Sequence, residues 1–418
     1  MNTIQNIKGT QDILPLDTKK WQNLETIVRK ICSRFGYEEI RTPIIEQTRL
    51  FSRSVGEDTD IVTKEMYTWE DRDGTSLTLR PELTASVARS FIQHNLGAQS
   101  PIQRLFYMGP LFRRERPQKG RQRQFHQFGV EAFGSENPEQ DAEIIAIAWH
   151  ILSECGLSDI ATLNLNSIGC LNCRKEYRKA LKEYLSPHLQ QLSETSQKRF
   201  EINPLRILDT KSENEQRILK DAPLISNFFT AKDQEHFNSV QDLLNTLNIP
   251  FTINEKLVRG LDYYSSTVFE FTSSVIGSQD ALLGGGRYDN LVKALGGKQM
   301  PGIGFAAGME RFLLAMSEQA FESSIDIYFI NLDHEAISTV FTLTDKLRKN
   351  GYSVLTDTLR RSMKSQLRDA NRSGAKYAII LGNAELSTGT IIIKNLNDGI
   401  QETIQQNDLI NKMQSLTN

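Results

Sequence analysis

Four cysteines in 418 residues are too few for a disulfide scaffold. Cys32 and Cys155 stand alone. Cys170 and Cys173 form a CxxC, but with no second pair the four ligands of a structural zinc site are missing, so reduced thiols are expected. No apolar run approaches the roughly 18 residues of a spanning helix. The densest stretch, Ile144 to Trp149, is bounded by Glu143 and His150. The first ten residues lack the apolar core of a secretion signal, and the chain reads as cytoplasmic with no membrane partner. Charge of one sign is also lacking: 49 Lys and Arg stand against 51 Asp and Glu, a net charge of −2. That balance excludes a wholesale polyanion coat, although a local basic patch stays open. No GxxxxGK[S/T] phosphate loop, internal repeat or low-complexity tract occurs.

What is present is an ordinary globular composition, with 39% hydrophobic, 24% charged and 8% aromatic residues, long enough for two or three domains. Trp21, Leu24, Ile27, Val28, Ile31 and Phe35 recur at helical spacing, with Asp17 or Thr18 as the cap and Gly36 as the stop. Tyr37 to Glu46 alternates like a strand but contains Pro43, which predicts an edge or interface position. Leu105–Gly109 and Phe125–Phe133 alternate with period two around a polar loop, predicting a hairpin. Glu139–Leu152 predicts a helix, and Asn172–Asn248 a polar, helix-rich insertion. Strand-like, glycine-rich segments return from Leu257 to Gly304, before an apolar helix at Met309–Met316. A linker is expected at Glu318–Ser324. Beyond it, strands near Ile325–Asn331, Tyr377–Leu381 and Thr390–Ile393 alternate with helices, the pattern of a small α/β domain.

Three segments are suited to chemistry. Between Arg113 and Arg123, six cations (Arg113, Arg114, Arg116, Lys119, Arg121 and Arg123) face the single acid Glu115. Charge alone would read as a solvated hairpin tip. The return strand, however, places Phe125, Gln127 and Glu131 on one face beside Arg113, a floor for a charged planar ligand. His126 points to the other face and reads as a packed or hydrogen-bonded histidine. In Leu257-Val-Arg-Gly-Leu-Asp-Tyr-Tyr, Arg259 before Gly260 offers a forked donor with close backbone approach, which suits phosphate oxygens. The third segment comprises Gly284-Gly-Gly-Arg-Tyr-Asp and Gly302-Ile-Gly-Phe-Ala-Ala-Gly-Met-Glu-Arg. No buried strand precedes Gly302, so a dinucleotide fingerprint is rejected in favour of a strand entering a helix that carries Arg311. Arg361, Lys364, Arg368 and Arg372 make a basic stripe at helical spacing, a credible RNA contact.

Together these segments resemble the three signature motifs of class II aminoacyl-tRNA synthetases, and more narrowly the histidyl-tRNA synthetase family. Lys8-Gly-Thr-Gln-Asp-Ile-Leu-Pro and the strand with Pro43 are similar to that family's N-terminal signature and dimer-forming first motif. Phe112–Gln127 resembles the second motif and Gly302–Arg311 the third. Leu257–Tyr264 and Gly284–Asp289 resemble the two signatures peculiar to the histidine enzymes.

The resemblance implies an α/β (α+β) fold, with an antiparallel catalytic sheet flanked by helices over residues 1–324, a helical insertion at about 170–250, and an anticodon-binding α/β domain over 325–418. It implies ATP-dependent ligation of L-histidine to tRNA(His) through a histidyl-adenylate, in a homodimer, with Mg2+ accompanying ATP and no fixed protein metal site. By the same resemblance Arg113 and Arg259 are catalytic and hold the α-phosphate, and Glu115, Phe125 and Arg311 complete the ATP site. Glu82, Thr84, Gln127, Glu131, Tyr263, Tyr264 and Tyr288 would bind histidine, and Arg116, Gln118, Lys119, Arg121 and Arg123 would meet the tRNA. The family usually has glycine where this chain has Leu83.

Three other readings compete. A non-catalytic regulatory subunit of ATP phosphoribosyltransferase resembles the same core, but typically lacks the arginine of Arg-Gly-Leu-Asp-Tyr-Tyr and the C-terminal domain. A class II enzyme for proline or threonine fits poorly with Leu-Asp-Tyr-Tyr and Glu131. A generic RNA-binding module would not need Arg259 or Arg311 beside a glycine-lined core.

Overall fold

The hairpin expected from residues 105–133 forms the centre of the molecule. Gln103–Phe112 and Gln124–Phe133 pair antiparallel, with Leu105 opposite Glu131 and Gly109 opposite Gln127. The computed structural model describes residues 3–56, 59–118, 120–277, 280–317 and 325–417. It divides into two units, Met1–Glu318 and Gln319–Asn418. The expected linker at 318–324 lies outside the described residues.

In the first unit the hairpin belongs to an eight-stranded sheet. Its order is Glu38–Glu39, Gln103–Phe112, Gln124–Phe133, Gly302–Gly308, Ala281–Arg287, Ser265–Thr272, Thr162–Ser167, Thr252–Ile253. The outermost pairings are parallel and the rest antiparallel. Because side chains alternate across a strand, the sheet supports two cores. On one face Phe106, Phe128, Val130, Phe269 and Phe305 pack against helices Pro15–Arg34, Pro138–Glu154 and Ala231–Thr246. A fully buried phenylalanine such as Phe128 contributes about 1.5–3 kcal/mol. On the other face Leu105, Tyr107, Val268 and Tyr288 pack with helices Thr84–Gln93 and Leu171–Leu185. The helices from residue 171 onward therefore part company. Those up to Phe228 cover the second core, whereas Ala231–Thr246 sends Phe237, Val240 and Leu244 into the first.

The first helix begins earlier than its expected caps, because Pro15 occupies the opening turn and needs no donor there. Asp17 falls inside that turn, and Gly36 ends the helix at φ +74°. The segment with Pro43 does not form one strand. Glu38–Glu39 joins the large sheet, while Ile45–Gln47 joins a three-stranded sheet with Ser76–Leu79 and Tyr67–Glu70. Pro43 lies between them, where the missing N–H costs no ladder bond.

In the second unit, Val354–Thr356, Ile327–Asn331 and Tyr377–Leu381 are parallel, and Thr390–Asn395 and Gln401–Gln405 continue the sheet antiparallel. Helices Ile337–Lys349, Met363–Ser373 and Leu409–Thr417 accompany it.

Candidate active site

The register of the large sheet explains its cavity. Directly opposed residues in neighbouring strands share a face with Cβ atoms about 5 Å apart. Glu131 is opposed to Gly304, and Glu270 to Gly284. A Cβ at Gly304 would overlap the Glu131 carboxylate, and one at Gly284 would overlap the Arg259 guanidinium. Glycine at these two positions therefore makes room for charge above the sheet. Gln127 is likewise flanked by Gly109 and Gly308.

Over this floor lies a cavity of about 540 Å³. It brings together most of the residues singled out from the sequence: Arg113, Glu115, Phe125, Arg259 and Arg311, with Glu82, Thr84, Gln127, Tyr263 and Tyr264. Arg113 is fixed by its Nε–H donating to the Pro81 carbonyl at 2.9 Å, and its guanidinium stands 5.2 Å from the Phe125 ring centre. Arg259 pairs with Glu270. Arg311 donates from Nη1 to the Ala281 carbonyl at 2.7 Å. Three guanidiniums thus line one half-open cavity, each held by a different segment. Arg259 Nε and the Gln127 side-chain oxygen are buried without a hydrogen-bond partner among the described residues. An unmade buried hydrogen bond costs about 1–3 kcal/mol, so both atoms favour a ligand that supplies one.

Glu131 and Tyr288 lie behind the cavity wall and do not line it. Glu131 is fully buried and accepts hydrogen bonds from Thr84 Oγ1 at 2.6 Å and Tyr107 Oη at 3.1 Å, and a further one from Tyr288 Oη. Burial pushes its carboxyl up to about 8 against these bonds, with the nearby Glu82 acting in the same direction. Burial also raises Glu82, to about 7, although it accepts from the Ala85 N–H at 2.9 Å and feels Arg113. Leu83 adopts φ −110°, which any residue can take, so its departure from glycine costs the backbone nothing.

The arginine-rich loop is not uniformly solvated. Arg116 and Gln118 are exposed, and Arg123 Nε approaches the Glu115 carbonyl at 3.5 Å. Arg121 instead lines the cavity and pairs with Glu115 at 3.1 Å. Lys119 lies outside the described residues. His126 hydrogen-bonds Glu310 through Nδ1 at 3.0 Å and meets Trp21 edge-on, a packed histidine as expected. In the second unit the basic stripe is partly neutralised. Arg361 precedes the helix and pairs with Asp357 and Asp369, and the exposed Arg372 also pairs with Asp369, leaving Lys364 and Arg368 as the exposed cations of the stripe without an ion pair among the described residues.

Sequence reasoning missed Tyr107, Glu270 and Glu310. Glu270 carries a readable signal, a lone charge between two phenylalanines in a strand with no other ionisable residue. It also missed the lock beneath the site. Arg287, 1% exposed, donates from Nε to both oxygens of fully buried Asp141 at 3.0 and 2.8 Å, and from Nη1 and Nη2 to the Ser135 and Asn137 carbonyls. Burial opposes the Asp141 charge, but Arg287 and His236 outweigh it and hold this carboxyl below the usual range.

Compared with known proteins, residues 9–312 match the family described as histidyl-tRNA synthetase. The chain belongs to the histidyl-tRNA synthetase family. Residues 326–416 match the anticodon binding domain family. A histidine–tRNA ligase of Cyanothece sp. is 48% identical over 414 residues, covering 99% of this chain and 96% of that one. One from Halothermothrix orenii is 47% identical over 413 residues, covering 98% of each. Among solved structures, apo histidyl-tRNA synthetase of S. aureus superposes with a TM-score of 0.84 at 37% identity, covering 98% of this chain and all of the other. The class II fold expected from the motifs is thereby established, with its anticodon-binding domain. In the family's frame, the second motif is the central hairpin and the third is the strand Gly302–Gly308 entering the helix Met309–Ala315. Among the described residues no helix is long and apolar enough to cross a membrane.

Proposed function

We propose that this chain joins L-histidine to ATP with release of pyrophosphate, then passes the histidyl group to the terminal ribose of tRNA(His). The observation that carries this reading is the convergence of Arg113, Arg259 and Arg311 in the same cavity as Glu82, Gln127 and the tyrosines. In the first step a histidine carboxylate oxygen attacks the α-phosphorus and the bond to pyrophosphate breaks. Two anions must approach, and negative charge accumulates on phosphoryl oxygens. Fixed guanidiniums at that position lower the barrier by several kcal/mol, because they are already oriented when the charge develops.

Arg113 and Arg259 serve the α-phosphate. Phe125 and Arg311 hold adenine between ring and guanidinium, with Glu115 positioning Arg113 and Arg121 beside it. Glu82, Thr84 and Gln127 receive the α-ammonium. Tyr263 and Tyr264 close the pocket, and Glu131, reached through the wall it shares with Tyr288, answers the imidazole. ATP enters as its magnesium complex. The carboxylates Glu115, Glu270 and Glu310 are engaged by Arg113 and Arg121, by Arg259 and by His126, while Asp209 and Asp280 also line the cavity, and the ion would be held chiefly by the phosphates. Arg116, Gln118, Lys119, Arg121 and Arg123 lie on the loop that meets the acceptor end, while the helical insertion clamps the acceptor stem. Exposed Ile44 and Ile45 beside an edge strand support a homodimer through the first motif. The reaction takes place in the cytoplasm.

The test is amino-acid-dependent ATP–pyrophosphate exchange with each standard amino acid in turn. Exchange with histidine alone is expected. Exchange with another amino acid would overturn the histidine assignment. No exchange with any of them, in folded protein, would favour the regulatory-subunit reading, against which stand Arg259 in the cavity and the C-terminal unit.

A further inference from the structure

The pair Cys170 and Cys173 takes no part in the reaction proposed above and does not line its cavity, yet the residue after it is hydrogen-bonded to the backbone of Tyr264, which does. Cys170 caps the helix Leu171–Leu185, its sulfur accepting the Cys173 N–H at 3.3 Å. The two sulfurs stand 2.7 Å apart. Cys173 is buried and its thiol donates to Asp233 Oδ2 at 3.1 Å, whereas Cys170 is half-exposed. Asp233 is itself fixed by the Thr230 N–H at 3.0 Å.

Among the described residues, this is the one group of three His, Cys, Asp or Glu side chains close enough to share an ion. Its geometry does not suit one. Two thiolates on a tetrahedral zinc at about 2.3 Å would lie roughly 3.8 Å apart, and only three ligands are present. For sulfur–sulfur bonding, by contrast, the gap to the 2.05 Å bond length is only about 0.7 Å. Cys32 and Cys155 offer no competition, since both are buried in the core, out of reach of a soluble oxidant.

The pair is also wired to the cavity. Arg174, the next residue along the helix, donates from Nη1 to the Tyr264 carbonyl at 2.7 Å. Gly169, the preceding residue, accepts the Ser266 N–H at 3.2 Å, and Ser266 holds φ +52°, a costly conformation for a residue with a Cβ. The first turn of this helix is therefore hydrogen-bonded to the backbone at Tyr264 and Ser266.

We propose that Cys170 and Cys173 are a reversible dithiol–disulfide site, oxidised by a peroxide or a small-molecule disulfide, whose closure is transmitted to the substrate cavity through Arg174 and Tyr264. With hydrogen peroxide, the accessible Cys170 thiolate attacks one peroxide oxygen. The O–O bond breaks, leaving Cys170 as a sulfenic acid and releasing hydroxide. Cys173, oriented by its bond to Asp233, then attacks the Cys170 sulfur, and its proton leaves with the hydroxyl as water when the S–O bond breaks. In sum, two thiols lose two electrons and two protons, and the peroxide becomes two waters. A thiol reductant reverses the closure by exchange.

The transmission, though not the dithiol itself, rests on the histidine-activating reading. The experiment treats the full chain with stoichiometric peroxide, with and without later dithiothreitol. It reads peptide masses, and the KM for histidine in ATP–pyrophosphate exchange. The expected result is a loss of two mass units on the peptide holding Cys170 and Cys173, with Cys32 and Cys155 unchanged. KM should rise at least threefold and return on reduction. A Cys170→Ser/Cys173→Ser variant should keep its KM whatever the treatment. A pair that stays reduced under tenfold excess peroxide, or stoichiometric zinc that survives gel filtration and blocks oxidation, would overturn the site. An unaltered KM in fully oxidised chain would overturn the transmission. If the reduced chain exchanges with no amino acid, the proposed function fails, while the peptide masses still decide the dithiol.

Discussion

Replacing Glu131 by glutamine removes an ionisable group from the most enclosed part of the site while keeping its shape. Glutamine resembles the protonated acid, with one acceptor oxygen and a donor in place of the acid hydroxyl. In the folded chain burial holds the Glu131 carboxyl near 8, against 4.5 when unperturbed. Below about 4.5 both folded and unfolded chains carry the proton, and the raised value contributes its full stability. Between 4.5 and 8 the unfolded chain gives up the proton and the folded chain keeps it, so stability falls as pH rises. Above 8 both have lost it and the contribution is gone. Each pH unit in that window is worth about 1.4 kcal/mol, so wild type should lose roughly 3 kcal/mol between pH 6 and 9 relative to Glu131→Gln. Urea denaturation of both proteins at the two pH values, taken as a difference of differences, removes groups that titrate alike in each. Glu131→Gln should therefore be the more robust protein in alkali and the poorer enzyme with histidine. A stability difference that does not change with pH would refute the argument, because Glu131 would then be ionised throughout.

Arg259→Ala should lower histidine-dependent exchange by about 10²–10³-fold, the usual effect of deleting one fixed donor to a developing charge, with an unchanged circular dichroism spectrum. Undiminished exchange would reject its role at the α-phosphate. Gly284→Ala should cost a similar factor although it deletes no functional group, since the added methyl displaces the Arg259 guanidinium; full activity would show that the arginine acts elsewhere. Arg287→Ala leaves Asp141 charged and buried, and should destabilise the first unit by about 3–5 kcal/mol in chemical denaturation. A loss below about 1 kcal/mol would mean that the ion pair is not what holds this part of the site together.

The parts of the site legible in the sequence are those fixed by local rules. Period-two alternation placed Phe125 and Gln127 on one strand face, and both line the cavity. The same rule put His126 on the other face, where it meets Trp21 and Glu310. Arg259 was conspicuous because a glycine follows it, and Arg311 because an arginine is out of place in an apolar helix. The partners of these groups were not legible, because they depend on register between distant strands. Nothing local announces that Glu270 will lie across from Gly284, or that Asp141 will meet Arg287 from 146 positions away. Tyr107 reads as an ordinary core residue until its hydroxyl is seen on Glu131. Pro43 misled in a narrower way, since the alternation around it belongs to two short strands in different sheets. The basic stripe was read from cations alone, and Asp357 and Asp369 cancel part of it.

The glycines at 284 and 304 give the site a lopsided evolutionary future. Every other residue has a smaller one to drift towards, but glycine has none, so each amino-acid change at these two positions adds atoms to occupied space. No mild allele exists there to serve as an intermediate. A change of amino acid preference would have to begin at lining side chains such as Gln127 or Tyr263, which can shrink as well as grow. The bare floor of the sheet is therefore the part of this pocket that no substitution can enlarge, and the side chains that line it are the part that can be reshaped.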